Sequence, residues 1–170
     1  MINEITKEFK LKAIFINLLI YSTCFASEYK LIGSSLLEVT IFKLDVYELY
    51  YYEKKDNKSI HQKLTLKYLR DVKKKYSVMG WSQGLEKYIK TPDEQKALKW
   101  FLSTTNDIKE GDQMDIIKSN NKVQIFKNGK IINESNDPDV FKLSHAVWIG
   151  KYPISEKIKE QLLGGKRNSL

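Results

Sequence analysis

The sequence predicts an α+β fold in which an antiparallel sheet is backed by another layer. The first observation is the stretch from Gly111 to Asn133. Its runs Asp112 to Ile117 and Lys122 to Phe126 are separated by Ser119-Asn120-Asn121, and Asn128-Gly129 leads into Lys130 to Asn133. Asn and Gly accept the positive φ that tight hairpin turns demand, so the stretch reads as a three-strand meander. The second observation is the order of elements: three strands, two helices, three strands, two helices. Such segregation argues for antiparallel pairing and against a parallel, Rossmann-like sheet. Within the meander Met114, Ile116, Val123, Ile125, Ile131 and one of its neighbours are expected on the buried face, with Gln113, Asp115 and Gln124 on the wetter one. The cover is either a second sheet or a helical layer.

Tyr29 to Glu53 reads as two long strands rich in β-branched and aromatic residues, alternating through Val39, Ile41 and Lys43 and then through Val46, Glu48, Tyr50 and Tyr52. Both faces carry apolar side chains in places, so part of this sheet is expected to be covered on both sides. Gln62 to Asp71 supplies a third strand. Asp71 is then placed to cap a helix with Val78, Trp81, Leu85, Tyr88 and Ile89 inward, and Gly80 and Gly84 suggest a break in it. Thr91-Pro92-Asp93-Glu94 is a helix start with the makings of a capping box, followed by the stripe Ala97, Leu98, Phe101 and Leu102. Asp137-Pro138 starts a third helix that turns Val140, Leu143, Val147 and Trp148 inward and stops at Gly150. Ser155 begins a last one, with Ile158, Leu162 and Leu163 on one side and Gly164-Gly165 at its end.

A length of 170 residues suits one domain with a sizeable core, and 42% hydrophobic with 29% charged residues excludes a disordered chain. The net charge of +8 does not make a nucleic-acid binder: the lysines are scattered among 21 acidic residues, and only 2 of the 29 basic residues are arginines. Lys7, Lys10 and Lys12 precede the apolar run Ala13 to Tyr21, and Cys24-Phe25-Ala26 offers small residues at a cleavage site. Residues 1–26 therefore read as a secretory signal peptide and 27–170 as the domain, which places the protein in the periplasm or outside the cell. The alternative is an uncleaved leader acting as a membrane anchor. Cys24 is the only cysteine, so the mature chain is expected to carry no thiol chemistry.

The catalytic inventory is thin. His61 and His145 are isolated, and His145 reads as a packed helix residue rather than a base. No nucleophile elbow, phosphate-binding loop, dinucleotide fingerprint or metal-ligand cluster appears, so neither cofactor nor metal is implied. Asp137/Asp139 and Asp93/Glu94 are explained as helix-start charges. The run Tyr47, Tyr50, Tyr51 and Tyr52 either lines an apolar pocket or alternates between core and surface.

KKYSVMGW, TPDEQKALKWFLSTTNDIKEGDQMDI, VQIFKNGKII and LSHAVWIGKYPIS stand in this order between Lys74 and Ser155. Their order and spacing resemble the second half of the chalcone isomerase superfamily, and the strand containing Asp45-Val46-Tyr47 extends the match over about residues 29 to 164. The likeness is greatest to the bacterial secreted chalcone isomerase-like branch. That resemblance implies an open-faced β-sandwich, a large antiparallel sheet covered on one face by helices, with a ligand cleft between them.

Chalcone isomerases hold a phenolate for intramolecular attack with an early-strand Arg, a Thr, a Tyr, an Asn and a Ser or Thr. Carried over by position, the Tyr falls on Tyr76, the Asn on Gln83, the Thr on Phe42 and the Ser/Thr on Val147, with Trp148 beside it. No arginine precedes Arg70, so the early-strand Arg is absent and the cleft is expected to lack a cation. Such a cation makes charge-assisted hydrogen bonds worth ~1.5 to 3 kcal/mol. The fatty-acid-binding branch holds a carboxylate with a similar Arg and a Tyr. The implied function is therefore a noncatalytic protein whose cleft takes an apolar or amphipathic ligand. Two readings stand beside it: an isomerase or lyase with altered chemistry at Tyr76, and a structural or partner-binding protein whose cleft is filled by its own side chains.

Overall fold

A computed structural model describes residues 28–39, 44–56 and 59–165. The leader expected over residues 1–26, Cys24 and Phe42 lie outside them. Six strands form one antiparallel sheet in chain order: β1 (Lys30–Val39), β2 (Leu44–Lys55), β3 (Ile60–Tyr68), β4 (Gln113–Ser119), β5 (Lys122–Lys127) and β6 (Lys130–Ser135). Between β3 and β4 the chain leaves the sheet for α1 (Lys74–Leu85), a 3-10 turn (Glu86–Tyr88) and α2 (Pro92–Ser103). After β6 come α3 (Pro138–Leu143), α4 (Ala146–Ile149) and α5 (Glu156–Leu162). This is the expected α+β architecture with an open antiparallel sheet.

One face of the sheet carries the core. Leu49, Tyr51, Leu64, Leu66, Tyr68, Met114, Ile116, Val123 and Ile125 are buried there, beneath Leu85, Ala97, Leu98, Phe101, Val140, Leu143, Val147, Trp148, Ile158 and Leu162 from the helices. The opposite face bears no helix among the described residues. Its tyrosines are shielded by lysine stems instead. Lys63 Nζ lies 4.4 Å from the centre of the Tyr52 ring and Lys67 Nζ 5.0 Å from that of Tyr50, contacts worth ~0.5 to 1 kcal/mol at exposed sites.

The turns follow local chemistry. Asn120 and Asn121 have φ of 48° and 62°, and Asn128 and Gly129 have 50° and 75°, so both hairpins close through two left-handed residues. The capping box forms as read: the Thr91 side chain accepts from Glu94 N, and Glu94 Oε2 accepts from Thr91 N. Asp137 caps α3 through bonds to Asp139 N and Val140 N.

Several expectations are corrected. Asp71 does not cap α1. Its carboxylate accepts from Glu110 N and pairs with Lys109, while Lys74 N donates to Asp107 Oδ1 at 2.8 Å, so the cap comes from the far side of the α1–α2 excursion. Helix α1 runs unbroken through Gly80 and Gly84. The third helix is two short ones, broken at Ser144 and His145, although all four of its expected inward residues are buried. Ile131 is 49% exposed because β6 is an edge strand beyond the helical cover, and a register shift at Ile125/Phe126 turns it outward. Leu163 likewise faces solvent rather than the core.

The two glycines of α1 differ in surroundings. A Cβ on Gly80 meets nothing within 4 Å, whereas one on Gly84 meets Val147 Cγ1 at 2.8 Å. Gly80→Ala is expected to stabilise the fold by ~1 kcal/mol through helix propensity. Gly84→Ala is expected to destabilise it by ~1 to 3 kcal/mol through overpacking. In urea titrations the two midpoints should move in opposite directions from wild type. A Gly84→Ala midpoint at or above that of Gly80→Ala rules out the packing described.

Candidate functional site: a cleft between the sheet and α1

Helix α1 buries only Gly84 and Leu85, at its C-terminal end. Its other end buries no residue and is capped by Asp107. The space beneath is an open cleft of about 640 Å³. Its floor is Tyr47, Leu66, Tyr68, Met114 and Ile116 from the sheet, and its roof is the α1 residues Tyr76, Ser77, Met79, Gly80, Trp81 and Gln83. Val147, Trp148 and Ile154 close one side, and Arg70, Asp71, Val72, Asn106 and Ile108 close another. Among the described residues, no side chain fills this space.

Aromatic contacts hold the roof up. Trp81 stacks on Phe101 with ring centres 4.5 Å apart and meets Trp148 edge-on at 5.4 Å. Trp148 Nε1 donates to Tyr47 Oη at 3.2 Å, and Tyr47 packs edge-on against Tyr68 at 5.3 Å. Burial pushes the Tyr47 phenol up to about 12, partly offset by the Trp148 hydrogen bond. Burial also raises Tyr68, with the neighbouring Tyr47 phenol and the Asp112 carboxylate adding to it. Both phenols stay protonated at neutral pH, so the floor offers neutral hydroxyls and no phenolate.

Of the residues singled out by sequence, Tyr76, Gln83, Val147 and Trp148 line this one cleft, and Phe42 lies outside the described residues. Tyr76 is 53% exposed and stands at the mouth under Lys75, whose Nζ is 5.0 Å from the ring centre. Val147 and Trp148 are buried. The aromatic run of β2 divides: Tyr47 faces the cleft, Tyr51 the core, and Tyr50 and Tyr52 the outer face of the sheet.

The expectation of a cleft without a cation is corrected by Arg70. It stands two residues past the end of β3, is half-buried, and lines the cleft. Its Nε donates to Asp45 O at 2.7 Å, and no carboxylate pairs with it among the described residues. The neighbouring acid, Asp71, is committed to Lys109 at 2.7 Å. One side of a largely apolar cleft therefore presents a guanidinium with donors to spare. Arg70 matches no family position along the chain, and only the tertiary structure brings it to the cleft.

Histidine chemistry lies elsewhere. His145 is buried, its Nε2 donates to Ile116 O at 3.0 Å, and burial lowers it to about 3, so it is neutral. His61 links Ser119 Oγ and Asp56 Oδ2 at 2.5 and 2.6 Å, tying the β2–β3 turn to the end of β4 away from the cleft. No group of three metal-ligating side chains occurs among the described residues.

The sequence profile of the family described as chalcone isomerase-like matches residues 21–164. No curated protein matches the sequence. Among solved structures, the crystal structure of an Arabidopsis thaliana fatty-acid binding protein is similar, with a TM-score of 0.64 and 15% identity over 82% of this chain and 88% of that one. At that identity the likeness shows a shared fold.

Proposed function

We propose that this chain, which belongs to the chalcone isomerase-like family, is a noncatalytic binding protein whose cleft takes an amphipathic small molecule with an anionic end. The observation that carries the reading is the cleft itself, about 640 Å³ of largely apolar space with Arg70 at one side. An apolar body is accommodated between Leu66, Met114, Ile116 and Trp148, and an anionic end reaches the free donors of Arg70. The fatty-acid binding protein of similar fold supports this choice of ligand class over an aromatic one.

Displacement of a fluorescent probe by a medium-chain fatty acid and by its matching alcohol tests the reading. Wild type should bind the acid more tightly. Arg70→Gln should weaken acid binding roughly 10-fold or more, the loss of one charge-assisted hydrogen bond, while leaving the alcohol unchanged. Equal affinities for acid and alcohol in wild type would remove the anionic end from the proposal.

Catalysis finds little support. Cyclisation needs an ionised oxygen held against the reacting double bond. Tyr76, however, is exposed at the mouth, and Val147 stands at the position carried over from a hydroxyl residue. Hydroxylated chalcones should lose their absorption band no faster with the protein than without it, and Tyr76→Phe should change nothing. Protein-dependent loss that Tyr76→Phe abolishes points instead to an enzyme with altered chemistry.

Residence in the periplasm or outside the cell is proposed on the lysine-flanked apolar leader. Sequencing the protein from fractionated cells should give an N-terminus at Ser27 or within a few residues of it. Intact Met1 on cytosolic protein counts against this compartment.

A further inference from the structure

The exposed stripe of α1 belongs to the mouth of the cleft. Tyr76, Met79, Gly80 and Gln83 recur at helical spacing, line the cleft and are all exposed. Across the opening, Ile154 lines the cleft and is 42% exposed, and Tyr152, two residues before it, is equally so. Large side chains are thus left in water where a ligand has to enter. Lysines accompany them: Lys75 Nζ lies 5.0 Å from the Tyr76 ring centre, and Lys151 and Lys87 lie 5.3 and 6.0 Å from that of Tyr152.

The charges around the rim are unbalanced. Lys73 and Lys109 are paired with Asp107 and Asp71, but Lys74, Lys75, Lys87 and Lys151 have no carboxylate partner among the described residues. Glu86 is the one acid beside them in the chain without a lysine partner there.

We propose that this rim docks on an anionic lipid surface, so that the cleft opens against the bilayer. Tyrosine is suited to the headgroup level, Met79 and Ile154 to the acyl boundary, and lysines on flexible stems to lipid phosphates. The four unpaired lysines supply attraction that depends on anionic lipid and falls with salt. The arrangement rests, for its purpose, on the reading of the cleft as a ligand site: an amphipathic molecule passes between bilayer and cleft without crossing water. A protein partner is less well matched, because these lysines bring no complementary acids of their own and the apolar contacts surround a hollow.

Full-length protein carrying Cys24→Ser and Met79→Cys, labelled with an environment-sensitive fluorophore, is mixed with vesicles containing a nitroxide-bearing lipid. With phosphatidylcholine and phosphatidylglycerol the nitroxide should quench the Met79 label several-fold more than with phosphatidylcholine alone. A label at Lys67→Cys, on the outer face of the sheet, should be spared, and Lys75→Glu with Lys151→Glu should remove most of the quenching. Because the readout is local, attachment through the leader alone leaves the two labels alike. Equal quenching at both positions, or none at Met79, overturns the proposal. Fatty-acid probe binding by the unlabelled protein separates the two readings: retained binding without quenching defeats docking alone, and quenching without probe binding defeats the cleft-ligand reading while supporting docking.

Discussion

Two backbone hydrogen bonds, Val72 N to Ile108 O at 3.0 Å and Ile108 N to Val72 O at 2.9 Å, close the excursion that carries α1 and α2 out of the sheet. The closure continues into the strands, where Tyr68 N donates to Asp112 O and Gly111 N to Tyr68 O. Because Ile108 is held there, Asp107 sits under the first turn of α1 and caps it, and Lys73 pairs with the same carboxylate. The helix is thereby fixed at its start by polar contacts and at its end by Gly84 against Val147. Between these supports only Trp81 reaches the core, and the unfilled span is the cleft. Arg70 and Asp71 lie within the same closure, which is why a guanidinium lines the cleft while the adjacent acid is turned to Lys109.

Glu94 makes the corresponding joint in the outer helices. Its side chain accepts from Lys90 N and Thr91 N and pairs with Lys142 of α3 at 2.6 Å. The Lys142 hydrogen bond first, and the backbone donors after it, hold the carboxyl down at about 2. A cap that the sequence explains locally thus also binds α2 to α3. His145 and Ile116 make a second joint, between the α3–α4 break and β4, with the imidazole kept neutral by burial.

What was legible in the sequence was short-range. The two Asn-containing hairpins, the Thr91 box and the Asp137-Pro138 start all lie within a few residues of the groups they satisfy, so their chemistry is written where it acts. The cap on α1 is not: Asp71 was the nearest acid, but the amide is satisfied by a residue that only the closed excursion brings near. Ile131 kept the period of a buried strand, yet whether an edge strand is covered depends on where the helices end. For the cleft, three positions carried over from the family, Tyr76, Gln83 and Val147, meet in space, while Arg70 was invisible because its role depends on tertiary placement and not on neighbours in the chain.

The chain carries three tryptophans, and two of them, Trp81 and Trp148, meet edge to face with ring centres 5.4 Å apart where the roof of the cleft joins its side. At that separation the indoles are electronically coupled, and Trp81 also stacks on Phe101. The cleft is therefore an intrinsic optical element. Any movement of α1 relative to α4 alters the angle between two transition dipoles, so the near-ultraviolet dichroism of the unlabelled molecule reports on the roof directly, with no added chromophore.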